Sequence, residues 1–121
     1  MSSIFVKNSM VMEKTENAIY QDLSSREFQT KLSSAVNGVL LDVRTEQEFN
    51  TGRIPNAINI DVMSSTFYDE LATLDKTKTY FVYCRSGGRS MQACLSMADL
   101  GFTVFNLVGG ISHWPGDIET V

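Results

Sequence analysis

Cys84 leaves an apolar run, Tyr80-Phe81-Val82-Tyr83, and opens the segment Arg85-Ser86-Gly87-Gly88-Arg89-Ser90. A thiol acts as a nucleophile only as its thiolate, and the thiolate is favoured where N–H dipoles or cations face the sulfur. A loop that leaves a buried strand and turns into a helix aims its backbone N–H groups inward, forming a concave nest for an anion. Gly87 and Gly88 permit backbone angles closed to other residues, and Arg85 and Arg89 bring positive charge beside the thiol. The expectation is a nucleophilic Cys84 facing an anion cup built from Arg85, Ser86, Gly87, Gly88, Arg89 and Ser90. An inert buried cysteine would need neither the two glycines nor the two arginines.

Such a loop requires a strand before it and a helix after it. Thr79 to Tyr83 reads as the strongest strand of the chain. After the loop Met91, Cys94, Leu95 and Ala98 recur at helical spacing, predicting a helix with that face on a sheet and Gly101 as its stop. Gly38-Val39-Leu40-Leu41-Asp42-Val43-Arg44 is a continuous apolar run ending in charge, as expected of a central parallel strand. Strand carboxyl ends form the ligand crevice of open α/β sheets, which would bring Asp42 and Arg44 near Cys84 if the two strands are neighbours. An Asp–Arg pair that merely closes a loop fits the same residues equally well.

The remaining elements follow in chain order. Ile19 to Leu23 is a short edge strand, and Ser24-Ser25-Arg26-Glu27 is a capping-box pattern opening a helix over 25–34 with Phe28 and Leu32 on one face. Thr45 to Phe49 is a short capped helix ended by Gly52. Arg53-Ile54-Pro55-Asn56 is a turn, 57–60 a third strand, and 64–74 a helix. Thr103 to Leu107 is the final strand, and Gly109-Gly110 turns the chain into Ile111-Ser112-His113-Trp114. The alternation predicts a single three-layer α/β/α domain over 19–121, around a mostly parallel sheet of about five strands. Residues 1–18 lack sustained periodicity and read as an N-terminal tail, loosely docked or disordered.

Composition narrows the functions. A chain of 121 residues with 43% hydrophobic content supports one domain, and a formal net charge of −4 argues against a nucleic-acid partner. The arginines Arg44, Arg53, Arg85 and Arg89 nevertheless fall at strand ends and loops, suiting a small anionic substrate. Two cysteines ten residues apart fit neither a disulfide framework nor a common zinc spacing, so no metal or other cofactor is expected. Free thiols, no signal-peptide pattern and no apolar span predict a cytoplasmic protein without a membrane partner. Cys94 lies on the apolar helix face and reads as a small core residue, His113 as structural, and Trp114 as a packing anchor.

Taken together, Leu41-Asp42-Val43-Arg44, Glu48-Phe49, Gly52 to Ile60, Val82 to Ser90, Gly101-Phe102 and Gly109-Gly110-Ile111 with Trp114 resemble a single-domain rhodanese of the sulfurtransferase family, from about residue 20 to the end. The resemblance implies that Cys84 accepts a sulfane sulfur as a persulfide held by the loop N–H groups, then passes it to cyanide or a thiol. Loops of the form Cys-Arg-x-Gly-x-Arg resemble those of thiosulfate users. The resemblance also implies that Asp42 steadies the loop, that Arg44 lies near the anion, and that a sulfur-relay protein is a conceivable partner. The chain departs from the family pattern where Arg53 replaces a frequent His and Asn56 a Gly. Two other classes remain. A phosphatase or arsenate reductase of related fold would place five residues between its cysteine and arginine, whereas Cys84 and Arg89 are separated by Arg85, Ser86, Gly87 and Gly88. A non-catalytic interaction module is the other.

Overall fold

The computed structural model describes residues 19–120. The tail assigned to 1–18 lies outside the described residues. The elements are β1 (Tyr20–Leu23), α1 (Ser25–Ser34), β2 (Gly38–Asp42), α2 (Glu46–Thr51), β3 (Ile58–Asn59), α3 (Phe67–Leu71), β4 (Thr79–Tyr83), α4 (Gly88–Asp99), β5 (Thr103–Leu107) and a 3₁₀ turn at Ile111–His113. The five strands form one sheet in the order β1-β5-β4-β2-β3, and every pairing in it is parallel. Helices cover both faces, so the three-layer α/β/α architecture is the one the alternation predicts.

Side-chain alternation along the strands divides the core in two. On one face Leu41, Tyr80, Val82, Cys84 and Val104 pack with Phe67 and Leu71 of α3 and with Ala93, Cys94 and Met97 of α4. On the other, Leu40, Phe81, Tyr83, Phe105 and Leu107 pack with Phe28 of α1, with Trp114 against them. Phe28 meets Phe81 and Trp114 edge-on, at ring-centroid distances of 5.4 and 6.0 Å. Trp114 is thus a packing anchor, as read.

Local signals set the helix ends. Ser24 and Glu27 form a reciprocal capping box, and Thr45 and Glu48 form a second. α4 ends in a paired motif, Phe102 N–H to Met97 O and Gly101 N–H to Ala98 O, with Gly101 at φ +98°. Asn56 adopts φ +74°, so the turn keeps a glycine-like conformation although glycine is absent. Arg53 donates to Glu119 at 3.2 Å and stacks over Phe49, which ties the turn to the end of the described chain.

Two expectations are corrected. The helix over 64–74 contracts to Phe67–Leu71, because Ser64 and Thr66 bond each other and Asp61 accepts from Met63 N–H, holding the start in turns. The buried face of α4 is Ser90, Ala93, Cys94 and Met97, whereas Met91 and Leu95 are 42% and 52% exposed. The expected stripe is rotated by one residue because Ser90, a polar residue, is satisfied inside by Gly87 O and Asn106.

Candidate active site

β4 delivers Cys84 to the carboxyl edge of the sheet, next to β2 on one side and β5 on the other. The sulfur is at the floor of the loop, with the residue 1% exposed. Gly87 turns back with φ +108° and donates its N–H to Cys84 Sγ at 3.0 Å. Gly87 alone of the two loop glycines uses the left-handed region; Gly88 opens α4 with room around it. Burial by itself pushes the Cys84 thiol up. Against that act the Ser90 hydroxyl and the backbone N–H groups of Ser90, Gly87 and Ser86, and the balance falls below the ordinary thiol value. The expected depression is present, and its leading causes are hydrogen bonds rather than the arginines.

The back of the loop is clamped by the chain beyond β5. Cys84 O accepts from Ile111 N–H at 2.9 Å, while Arg85 O accepts from Ser112 N–H at 3.1 Å and Ser112 Oγ at 2.8 Å. Gly110, at φ +63°, passes so close that a Cβ there would collide with the Arg85 and Cys84 carbonyls. Two glycines in sequence, Gly109-Gly110, expected only as a turn, are the signal in the sequence for this clamp.

The arginines are distributed differently from their spacing. Arg85 is exposed on the loop. Arg89 makes two parallel bonds to Glu48 of α2, at 2.8 and 3.0 Å, and this pair holds the Glu48 carboxyl far below its usual range, at about 2. Arg44 is buried, bonded to Asp42 at 2.6 Å and to Gly52 O at 2.6 Å, and lies over the Tyr83 ring. Asp42 is in register with Tyr83, so it and Arg44 share the sheet face opposite the one on which Cys84 packs. The structure brings Cys84 and residues 85–90 together, but Asp42 and Arg44 close the β2–α2 turn on each other. Sequence reasoning assigns no site role to Glu48, which it quotes only within a motif, or to Asn106, which is signalled by an amide inside the apolar run of β5.

Cys94 is fully buried in α4, and burial pushes its thiol well above the ordinary range. It is a core residue, as expected. His113 is exposed, with Nδ1 3.1 Å from Gly109 O. Among the described residues, no helix is long and apolar enough to cross a membrane.

Comparison with known proteins agrees with this fold. Residues 24–117 match the rhodanese-like domain family. YtwF of Bacillus subtilis, which carries a provisional sulfurtransferase name, is 34% identical over 99 residues, 82% of this chain and 94% of that protein. A sulfurtransferase of Allochromatium vinosum is 32% identical, covering 77% of this chain and 86% of its own length. The crystal structure of a rhodanese-like domain protein from Staphylococcus aureus superposes with a TM-score of 0.72 at 30% identity, covering 84% of this chain and 98% of that one. Family match, named relatives and shared fold together make this chain a member of the rhodanese-like sulfurtransferase family.

Proposed function

We propose that the protein moves a sulfane sulfur from a donor such as thiosulfate to a thiophilic acceptor, cyanide or a thiol, through a persulfide on Cys84. The observation that carries this reading is the depressed Cys84 thiol at the floor of a loop whose Gly87 N–H points at the sulfur from 3.0 Å. The thiolate attacks the terminal sulfur of thiosulfate, the donor S–S bond breaks, and sulfite leaves with the electron pair. The anionic outer sulfur left on Cys84 is the charge that the loop N–H groups stabilise. The acceptor nucleophile then bonds to that outer sulfur, and the Cys84 thiolate departs, regenerated. No general base is required.

A sulfur at the floor of a loop with only Arg85, Ser86, Gly87 and Gly88 between Cys84 and Arg89 favours donors that present a single terminal atom. A phosphoryl group asks for donors to three oxygens, and here Arg89 is already held by Glu48. Thiosulfate as donor is supported by a chloroplastic thiosulfate sulfurtransferase of Arabidopsis thaliana, 35% identical over 85 residues. Arg85, exposed on the loop, is the residue proposed to meet the anion, with Arg89 and Ser90 shaping the cup. Two free thiols suit a reducing, cytoplasmic setting, and a sulfur-relay protein is a suitable acceptor.

Mass spectrometry after thiosulfate treatment tests the reading directly. One added sulfur is expected on the wild type and none on Cys84→Ser, with thiocyanate formed on adding cyanide. Aryl-phosphate turnover by the wild type with no persulfide detected would overturn it.

A further inference from the structure

Three peptide units run from Cys84 to Gly87, and the third delivers the N–H that meets Cys84 Sγ at 3.0 Å. The first two are held from behind. Cys84 O, the carbonyl of the first, accepts from Ile111 N–H at 2.9 Å; Arg85 O, the carbonyl of the second, accepts from Ser112 N–H at 3.1 Å and from Ser112 Oγ at 2.8 Å. These two N–H groups open the 3₁₀ turn Ile111–His113, where a helical turn has no acceptor of its own to offer them. Gly87 rests on the same segment: a Cβ there would lie 3.4 Å from Gly109 N and 3.6 Å from Leu107 O. A peptide unit is planar, so one whose carbonyl is pinned cannot turn its N–H without breaking the pin.

Ser112 differs from the rest of this clamp because it contributes a side chain. The residue is exposed, so packing does not ask for a hydroxyl there, yet that hydroxyl gives Arg85 O the shorter of its two bonds. Resting on the reading of Cys84 as the sulfur carrier, we infer that Ser112 is a positioning residue for sulfur transfer: its hydroxyl pins the Arg85 carbonyl and so keeps the Gly87 N–H aimed at the Cys84 sulfur. It acts through the backbone of the loop. An N–H donated to sulfur favours the thiolate over the thiol, so a loosened aim is readable in the titration of Cys84. The other charged or titratable groups facing Cys84 or Ser112 stay the same in every variant below: Arg89, paired with Glu48; Cys94, kept neutral by burial; Arg85, exposed on the loop; and His113, with Nδ1 at Gly109 O.

The test is the pH dependence of Cys84 alkylation by iodoacetamide in the full chain, followed on the Cys84 peptide by mass spectrometry, with urea unfolding of each variant alongside. Ser112→Ala removes the hydroxyl and should raise the midpoint by about half a pH unit, a roughly threefold slower reaction below the midpoint. Thiocyanate formation from thiosulfate and cyanide should slow by a similar factor at neutral pH. Ser112→Thr keeps a hydroxyl on the same backbone and should restore the wild-type midpoint. Ser25 Oγ donates to His113 O at 3.4 Å, so Ser25→Ala takes a bond from the same turn without touching the loop and should leave the midpoint unmoved. The proposal is overturned if Ser112→Ala lowers only the urea midpoint while Cys84 titrates as in the wild type, if Ser112→Thr behaves as the alanine variant, or if Ser25→Ala shifts Cys84 as far as Ser112→Ala does. A wild-type Cys84 that forms no persulfide would instead sink the sulfur-carrier reading itself, whatever the Ser112 variants do.

Discussion

Cys84 and Cys94 are both free and both buried, yet their thiols are driven in opposite directions. Burial raises each. Only Cys84 has donors close enough to reverse the effect, and the loop supplies them from its backbone and from Ser90. The thiolate is the reactive form, so a lowered pKa carries the rate plateau of Cys84 alkylation to lower pH than for an ordinary cysteine, near 8.5. Peptide-resolved alkylation at neutral pH should modify Cys84 and spare Cys94; the reverse order would reassign the nucleophile. A related expectation concerns Arg85 and Arg89, which the sequence presents as equals. Arg85→Ala should weaken use of thiosulfate more than use of an uncharged donor. Arg89→Ala should weaken both by a similar factor, because its guanidinium is already committed to Glu48. Steady-state kinetics with the two donor types separates these outcomes.

At the scale of elements, α2 and the turn after β5 do most to shape the loop. The Glu48–Arg89 pair joins α2 to the start of α4, and its pH dependence has a definite sign. With the folded Glu48 near 2 and its ordinary value 4.5, the stabilisation is complete above about 4.5 and lost as pH falls toward 2. Glu48→Gln should remove that part of the acid slope in an unfolding titration and lower stability at neutral pH by about 1 kcal/mol, the scale of a partly exposed ion pair. Gly110→Ala should cost at least about 2 kcal/mol in urea melts and lower activity, since the added methyl meets the Cys84 and Arg85 carbonyls. Gly88→Ala, in open space on α4, should instead be neutral or stabilising by up to about 1 kcal/mol. The contrast explains what was legible in advance. The cysteine loop, Cys94 in the core, both capping boxes and the stop at Gly101 are local signals, readable from adjacent residues. The partners of Arg44, Arg89 and Asn106 were hidden because each is settled by which sheet face or neighbouring element the side chain meets. The one-residue rotation of α4 was hidden for the same reason: apolar periodicity cannot show that Ser90 finds Asn106 inside.

For the whole molecule, the two cores on either side of the sheet set the response to large truncations. Phe28 is fully buried between Phe81 and Trp114, and Phe28→Ala should cost about 3–5 kcal/mol, measured by the urea midpoint at unchanged slope. A small shift would mean that α1 contributes little to the sheet it covers. The strand order has a further consequence, one of timing. β1 is made first, yet its sheet partner is β5, with Tyr20 facing Val104 across the parallel pair. On the ribosome this strand emerges with no sheet partner until β5, the last of the five strands, has been synthesised. Closing so long a loop is entropically unfavourable, which places the β1–β5 pairing late on the folding path. Destabilising changes in β1 should therefore speed unfolding and leave the refolding rate almost untouched, with φ-values near zero in a chevron experiment. A nascent chain stalled just short of β5 would present the strand bearing Asp22 as an open edge, available to chaperones or to a neighbouring copy emerging alongside it.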